Sequence, residues 1–305
     1  MDEKRFQMEK TYPRATDVTI SEHYIAYATG GSVTVLDRAT EEILFQVKKL
    51  SYCYSVFIER EETILIIRGT YPAYLWFYSL PDGTLLKRLS IKPRRSQDCS
   101  FAVDAAGEYL LYPVIGDNLC ATLLKISLSE FAVIGTVPIG ARTYVNKIWR
   151  EEGIFLMTGF DRAREDEDWH TYWVAWCDGE RITRKIVIDK AFIAGTDHVL
   201  YDKKRGLIYL FEGFGKYFVV DEEMQLVREG KLDFGKDEYC GGDLYLDGQN
   251  LYCPSSEAFY IYSRDTFECL FCAKRKYGFL GVKRLNDRQV LAVPFSGGSL
   301  AIDVR

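Results

Sequence analysis

Residues 23–50 read HYIAYATGGSVTVLDRATEEILFQVKKL, and this stretch decides the fold class. Tyr24, Ala26 and Ala28 alternate with Ile25 and Tyr27 until Gly30-Gly31 breaks the run. Val33, Val35 and Asp37 then alternate with Thr34 and Leu36. Arg38-Ala39-Thr40-Glu41 turns the chain, and Ile43, Phe45 and Val47 share one face of a third strand. Period-two alternation between glycine-rich or polar turns is the pattern of strands joined as hairpins. The turns are too short for helical crossovers, so neighbouring strands are expected to be antiparallel.

Working outward, the same grammar returns at residues 74–89, 121–137, 172–188, 217–232 and 259–273, and a last copy, SLAIDVR, supplies one strand only. The residues that open the equivalent turns are Asp37, Ser79, Ser127, Cys177, Asp221, Ser263 and Asp303. Their mean spacing is about 44 residues, the period of propeller blades built from four strands. The sequence therefore predicts an all-β, seven-bladed β-propeller with four-stranded antiparallel blades. Repetition from end to end makes residues 1–305 a single domain, each blade burying its faces against its neighbours. The segment Arg5–Thr11 has no place in the first blade. It is predicted to supply the missing outer strand of the seventh, closing the ring by pairing the two chain ends and leaving no free sheet edge.

Composition narrows the function classes. The N-terminal MDEKRFQMEK is charged and lacks the apolar core of a signal sequence. No run approaches the ~18 apolar residues of a membrane helix. Eight cysteines are scattered along strands, which suits reduced thiols used as small core residues in a cytoplasmic protein. A net charge of −5 argues against non-specific nucleic-acid binding, and the basic runs Lys92-Pro93-Arg94-Arg95 and Lys274-Arg275-Lys276 read as solvated turns.

Motifs with chemistry are few. Aligning the innermost strands on their apolar ends places Asp17, Ser55, Ser100, Asn146, His198, Asp243 and Val282 at one level, mostly small or polar. His198 and Asp243 would come from adjacent blades and are the acid/base candidates for a lyase or hydrolase at the channel mouth. The loop Phe160–His170 holds five carboxylates, but its spacing matches no calcium loop and its arginines can neutralise the acids, so it reads as a solvated loop with Trp169 as an anchor. Cys269-Leu270-Phe271-Cys272 has redox or zinc spacing. On a regular strand, however, positions i and i+3 point to opposite faces, which would keep the thiols apart. Gly213-Phe214-Gly215-Lys216 joins two strands and reads as a hairpin turn, not a phosphate loop. His23 starts a second strand and is poorly placed to join His170 and His198. No metal or cofactor is expected.

The rim loops are rich in aromatics and arginine, the residues favoured at interface centres. Tyr54, Tyr144, Trp169, Tyr239 and Tyr277, with Arg142, Asn146 and Asp17, form the candidate binding set; Arg94 and Arg95 accompany the rim aromatics. The four-strand grammar, the period and the end-to-end closure resemble WD40/YVTN-type seven-bladed propellers over essentially the whole chain. The third strands, however, end in Leu-Asp, Tyr-Ser, Ile-Ser, Trp-Cys and Val-Asp where WD40 blades carry Trp-Asp. The resemblance implies a rigid scaffold for other proteins and transfers no catalytic residue. The expectation is a non-enzymatic module that takes a protein or peptide on its aromatic rim. The enzyme at His198 and Asp243 is the alternative, and a channel that senses a small ligand is a third reading.

Overall fold

Short runs of β-branched and aromatic residues between turn residues favour antiparallel pairing, and every strand pair in the computed structural model is antiparallel. The structure describes residues 6–12, 15–59, 61–70, 73–91, 95–96, 101–116, 119–164, 170–192, 196–235, 237–240, 243–286, 288–294 and 299–304. Arg5, Arg94, Ser100 and Trp169 lie outside the described residues, as do the side chains of Tyr54 and Arg95. The described residues hold no α-helix, and none of them forms a helix long and apolar enough to cross a membrane. The chain divides into two compact units, Asp17–Lys190 and Met1–Thr16 with Ala191–Arg305.

In the first unit the two leading repeats merge into one seven-stranded sheet because the strand Ile43–Ile58 serves both. Its first half pairs with Gly30–Asp37 and its second with Ile64–Thr70. Lys49 and Tyr52, at φ 61° and 51°, turn the backbone between the halves. The third repeat is built on Tyr109–Ile115, Ala121–Ser127 and Ala132–Gly140. The fourth is the sheet Thr143–Glu151, Ile154–Asp161, Thr171–Cys177 and Ile182–Val187. The second unit holds three four-stranded sheets. In the last of them the N-terminal strand Phe6–Tyr12 pairs with Ser299–Val304, from Phe6 opposite Val304 to Tyr12 opposite Ser299. The expected pairing of the two chain ends is present, one residue further along than the sequence suggested.

Ladder positions test the alignment of the innermost strands. Counted from the residue facing each turn opener, Asp17, Ser55 and His198 occupy equivalent positions, opposite Ala28, Arg68 and Phe211. Asn146 is instead the extra residue of a bulge between Val145 and Lys147. In the last sheet the equivalent position is Gly281, opposite Val293, and not Val282, because a second bulge between Arg284 and Asn286 consumes one residue. Bulges insert unpaired residues that local sequence does not announce.

The hairpins between third and fourth strands show how adjacent sheets are held. Glu41, Gly83, Phe131 and Phe267 each stand four residues after the turn opener with φ between 52° and 69°, and Glu41, Gly83 and Phe267 donate their N–H to the opener's carbonyl at 2.8–2.9 Å. Phe131 lies 4.9 Å from Phe77 of the preceding repeat. Phe267 stacks at 4.0 Å on Tyr217 of the preceding repeat, with the Arg228 guanidinium on the ring as well. Left-handed backbone costs a non-glycine residue roughly 1–2 kcal/mol, which burial of a phenylalanine ring, worth up to about 1.5–3 kcal/mol, can offset. At Gly83 the ring comes from the other side: a Cβ there would sit 2.6 Å from Phe45. At Gly83, Phe131 and Phe267 one aromatic thus fills the gap, supplied by either partner.

Charge adds to the same seam in the second unit. Arg264, one residue after its turn opener, is buried and donates to the half-buried Asp202 of the preceding repeat at 2.9 Å and to the carbonyl of Asp247 at 3.0 Å.

Gly83→Ala meets both the positive φ and the Phe45 ring and is expected to destabilise by about 1–3 kcal/mol in urea unfolding. Adding Phe45→Ala should recover part of that loss relative to Phe45→Ala alone; strict additivity would refute the shared-gap account.

Candidate functional site

Tyr144, Phe160 and Tyr172 occupy facing positions on three adjacent strands of the fourth sheet. Directly opposed residues share one face, so their half-buried rings form a row. Phe160 stacks on Tyr144 at 5.1 Å and 6° between planes, and on His170 at 4.8 Å and 2°. Tyr172 lies tilted beside it at 5.7 Å. The Arg162 guanidinium lies over the Tyr144 ring at 5.0 Å, a cation–π contact. Arg162 and His170, at the two ends of the stack, are exposed.

The opposite face of the same strands holds the row in place. The Asp161 carboxylate accepts from Thr143 Oγ1 at 2.7 Å, Trp173 Nε1 at 3.1 Å and Lys185 Nζ at 3.0 Å, tying together all four strands of the sheet. Trp173 lies across Gly159, where a Cβ would fall 2.4 Å from the indole ring and 2.1 Å from the Tyr144 carbonyl oxygen. Only glycine fits there, which explains its place in an otherwise apolar strand.

Arg142, at φ 56°, opens the first of these strands. Its carbonyl accepts from Arg162 N–H at 2.7 Å and its Nη2 donates to the Ala163 carbonyl at 2.7 Å. Ala163 N–H in turn donates to His170 Nδ1 at 3.2 Å. In that bond Nδ1 serves as the acceptor. The result is a rigid π-faced surface framed by Arg142 and Arg162. It can hold a ligand by stacking and by hydrogen bonds from guanidinium.

The other predicted residues are distributed differently. Asp17 is buried, its carboxylate accepting from Val18 N–H and from Val56 N–H of the next repeat, both at 2.9 Å. It braces two inner strands. Beside it, burial foremost and the Asp17 charge next push the Cys53 thiol up to about 12. Asn146 is exposed on its bulge. Tyr239 and Tyr277, both exposed, belong to the other unit, as do His198 and Asp243. His198 is half-buried opposite Phe211. Asp243 is exposed and its backbone N–H donates to the Leu280 carbonyl at 3.2 Å. His23 pairs with a carboxylate: its Nδ1 lies 2.5 Å from Glu62 of the next repeat, and this hydrogen bond, with the carboxylate charge, raises the imidazole above its ordinary value. Gly215, at φ 89°, turns the hairpin between Leu207–Glu212 and Lys216–Asp221. No group of three or more His, Cys, Asp or Glu side chains suited to a metal ion occurs among the described residues.

The expectation for Cys269 and Cys272 is overturned. Tyr262 faces Cys269, Ile261 faces Phe271 and Tyr260 faces Cys272, so Leu270 is the extra residue of a bulge. One inserted residue restores the parity of i and i+2, and both thiols point to the face that carries Tyr260 and Tyr262. Phe160, Arg162 and Tyr172 also escaped the sequence reading as site members. Their common face follows from cross-strand register, which is invisible until the strands are paired.

Comparison with known proteins adds no relative: no protein-family model and no curated protein matches this chain.

Asp17→Ala leaves the buried Val56 N–H without its acceptor and should cost about 1–3 kcal/mol. Asp243→Ala, whose described bond uses only the backbone, should stay within about 0.5 kcal/mol. Chemical denaturation of the two variants checks the contrast, and a reversed order would show that the bracing role is misassigned.

Proposed function

We propose that the repeats close into a seven-bladed propeller over residues 1–305, and that the chain is a non-enzymatic, cytoplasmic scaffold that takes a protein or peptide on the Tyr144–Phe160–His170 stack. The pairing of Phe6–Tyr12 with Ser299–Val304 supports closure, because it joins the two chain ends within one sheet. The observation that carries the binding reading is the parallel stack, partly exposed and framed by Arg142 and Arg162. Rigid aromatic side chains offer large contact area at low entropic cost, and arginine adds directional donors. The Asp161 bonds and the Gly159–Trp173 contact pre-organise that surface, so little of the binding energy goes into ordering it.

Closure is tested by deleting residues 1–12. A closed ring should lose stability throughout, seen as a lower midpoint for a single unfolding transition. An open array should lose only its last repeat, since each repeat then leans on its neighbours alone.

For binding, the tagged full chain is used to capture partners from native lysate beside Tyr144→Ala and Tyr277→Ala variants. A stoichiometric partner lost with Tyr144→Ala and kept with Tyr277→Ala is expected. Retention by a folded Tyr144→Ala protein would remove the stack from the interface, and the absence of any partner would count against the scaffold.

A further inference from the structure

The second unit carries a feature that recognition at Tyr144 does not use. Cys269 and Cys272 lie on the strand Cys269–Lys274, the edge strand of its sheet, and both thiols are free and exposed. The bulge at Leu270 brings them onto one face, and two observations agree on this. Their ladder partners Tyr262 and Tyr260 are two residues apart on the neighbouring strand. Tyr260 and Tyr262 belong to one apolar cluster while Ile261, with Phe271 against it, belongs to the cluster on the other face. The thiols are also close enough for the charge of Cys272 to act on Cys269.

Spacing decides the chemistry. Two ladder positions separate the cysteines by about 6.7 Å along the strand, at the upper limit for a direct disulfide. A bridging ion relaxes that limit, because two metal–sulfur bonds of about 2.3 Å reach farther than one sulfur–sulfur bond. The surroundings are adaptable: Cys269 Sγ lies 3.4 Å from the Phe271 carbonyl, and Cys272 shares a hydrogen bond with the Tyr260 hydroxyl. Asp233 and Glu238 bear electrostatically on the pair, and Lys274 offsets them at Cys272. A ligand pair made of two thiolates favours soft cations.

We infer that Cys269 and Cys272 form a two-thiolate site for a soft, thiophilic cation of the Cu(I) class. Binding exchanges two thiol protons for the metal, so affinity rises with pH. The site stands independently of the binding scaffold at the other unit.

The test is titration of the reduced full-length chain with Cu(I) under nitrogen, in competition with the chromophoric chelator bicinchoninate. One equivalent should be retained. Cys269→Ser and Cys272→Ser should each weaken retention by about tenfold or more, since loss of even an outer-shell partner of a metal typically costs 10–100-fold in affinity. Cys120→Ser, which removes another exposed thiol, should leave it unchanged. The Cys269 variant, on the outer edge and without the tie to Tyr260, keeps the test open if Cys272→Ser folds poorly. Three results would overturn the site: no Cu(I) retained by the unaltered chain, wild-type retention in the Cys269 variant, or loss that follows Cys240→Ser or Cys253→Ser. The last two residues form a buried pair with sulfurs 3.6 Å apart.

Discussion

Each sheet in this protein is apolar on both faces, and that constraint governs the rest. The second strands are buried almost without interruption, as in Leu65-Ile66-Ile67 and Ile208-Tyr209-Leu210-Phe211, so neither face can be left to water. Side chains that alternate along one strand therefore enter two different cores. Tyr260 and Tyr262 pack with Tyr209 and Tyr217 of the preceding repeat, while Phe259 and Ile261 pack with Val290 and Ile302 of the following one. A repeat of this kind has no complete core of its own and is stable only between neighbours.

Local compromises follow from that need. Phe131 and Phe267 accept a left-handed backbone because their rings fill the gap between sheets, and Gly83 leaves room for Phe45 to do the same from the other side. Buried polar groups at the seams carry hydrogen-bond or ionic partners that offset their desolvation. Glu238 is buried, yet its carboxylate accepts from Ser255 Oγ, from Tyr260 Oη at 2.7 Å and from Gly235 N–H at 2.9 Å. The Arg264–Asp202 pair compensates charge through Nη1, while Arg264 Nε has only the Asp265 carboxylate at 3.8 Å; an uncompensated buried charge would cost several kcal/mol. In that setting Asp17, which at sequence level looks like a site residue, is a structural brace.

The surface around Tyr144 departs from this economy in a specific way. Its rings are held by contacts on the far side of the sheet, at Asp161 and Gly159, rather than by burial of their own faces. A stack supported from behind keeps its geometry while one side stays available, which is the physical basis of the proposal that recognition takes place there. The bulge at Leu270 has counterparts beside the turn in five other third-to-fourth-strand hairpins; here it falls between two cysteines on an edge strand and so creates the thiol pair.

The sequence by itself determined the strands, their antiparallel joining, the period of about 44 residues and the completion of the last sheet by the N-terminal strand. These follow from side-chain alternation and turn chemistry, which are local properties. Tertiary structure decided which side chains meet. Asp17 could be read as a polar residue but not as the acceptor for Val56 N–H, and Tyr144 was legible as a rim aromatic but Phe160 and Tyr172 were not legible as its partners. Cys269 and Cys272 change faces through a single bulged residue, and Gly281 replaces Val282 at its ladder position for the same reason. In a sheet the side-chain period is two residues, so one inserted residue inverts every later assignment of face, and only the paired strands reveal where that insertion falls.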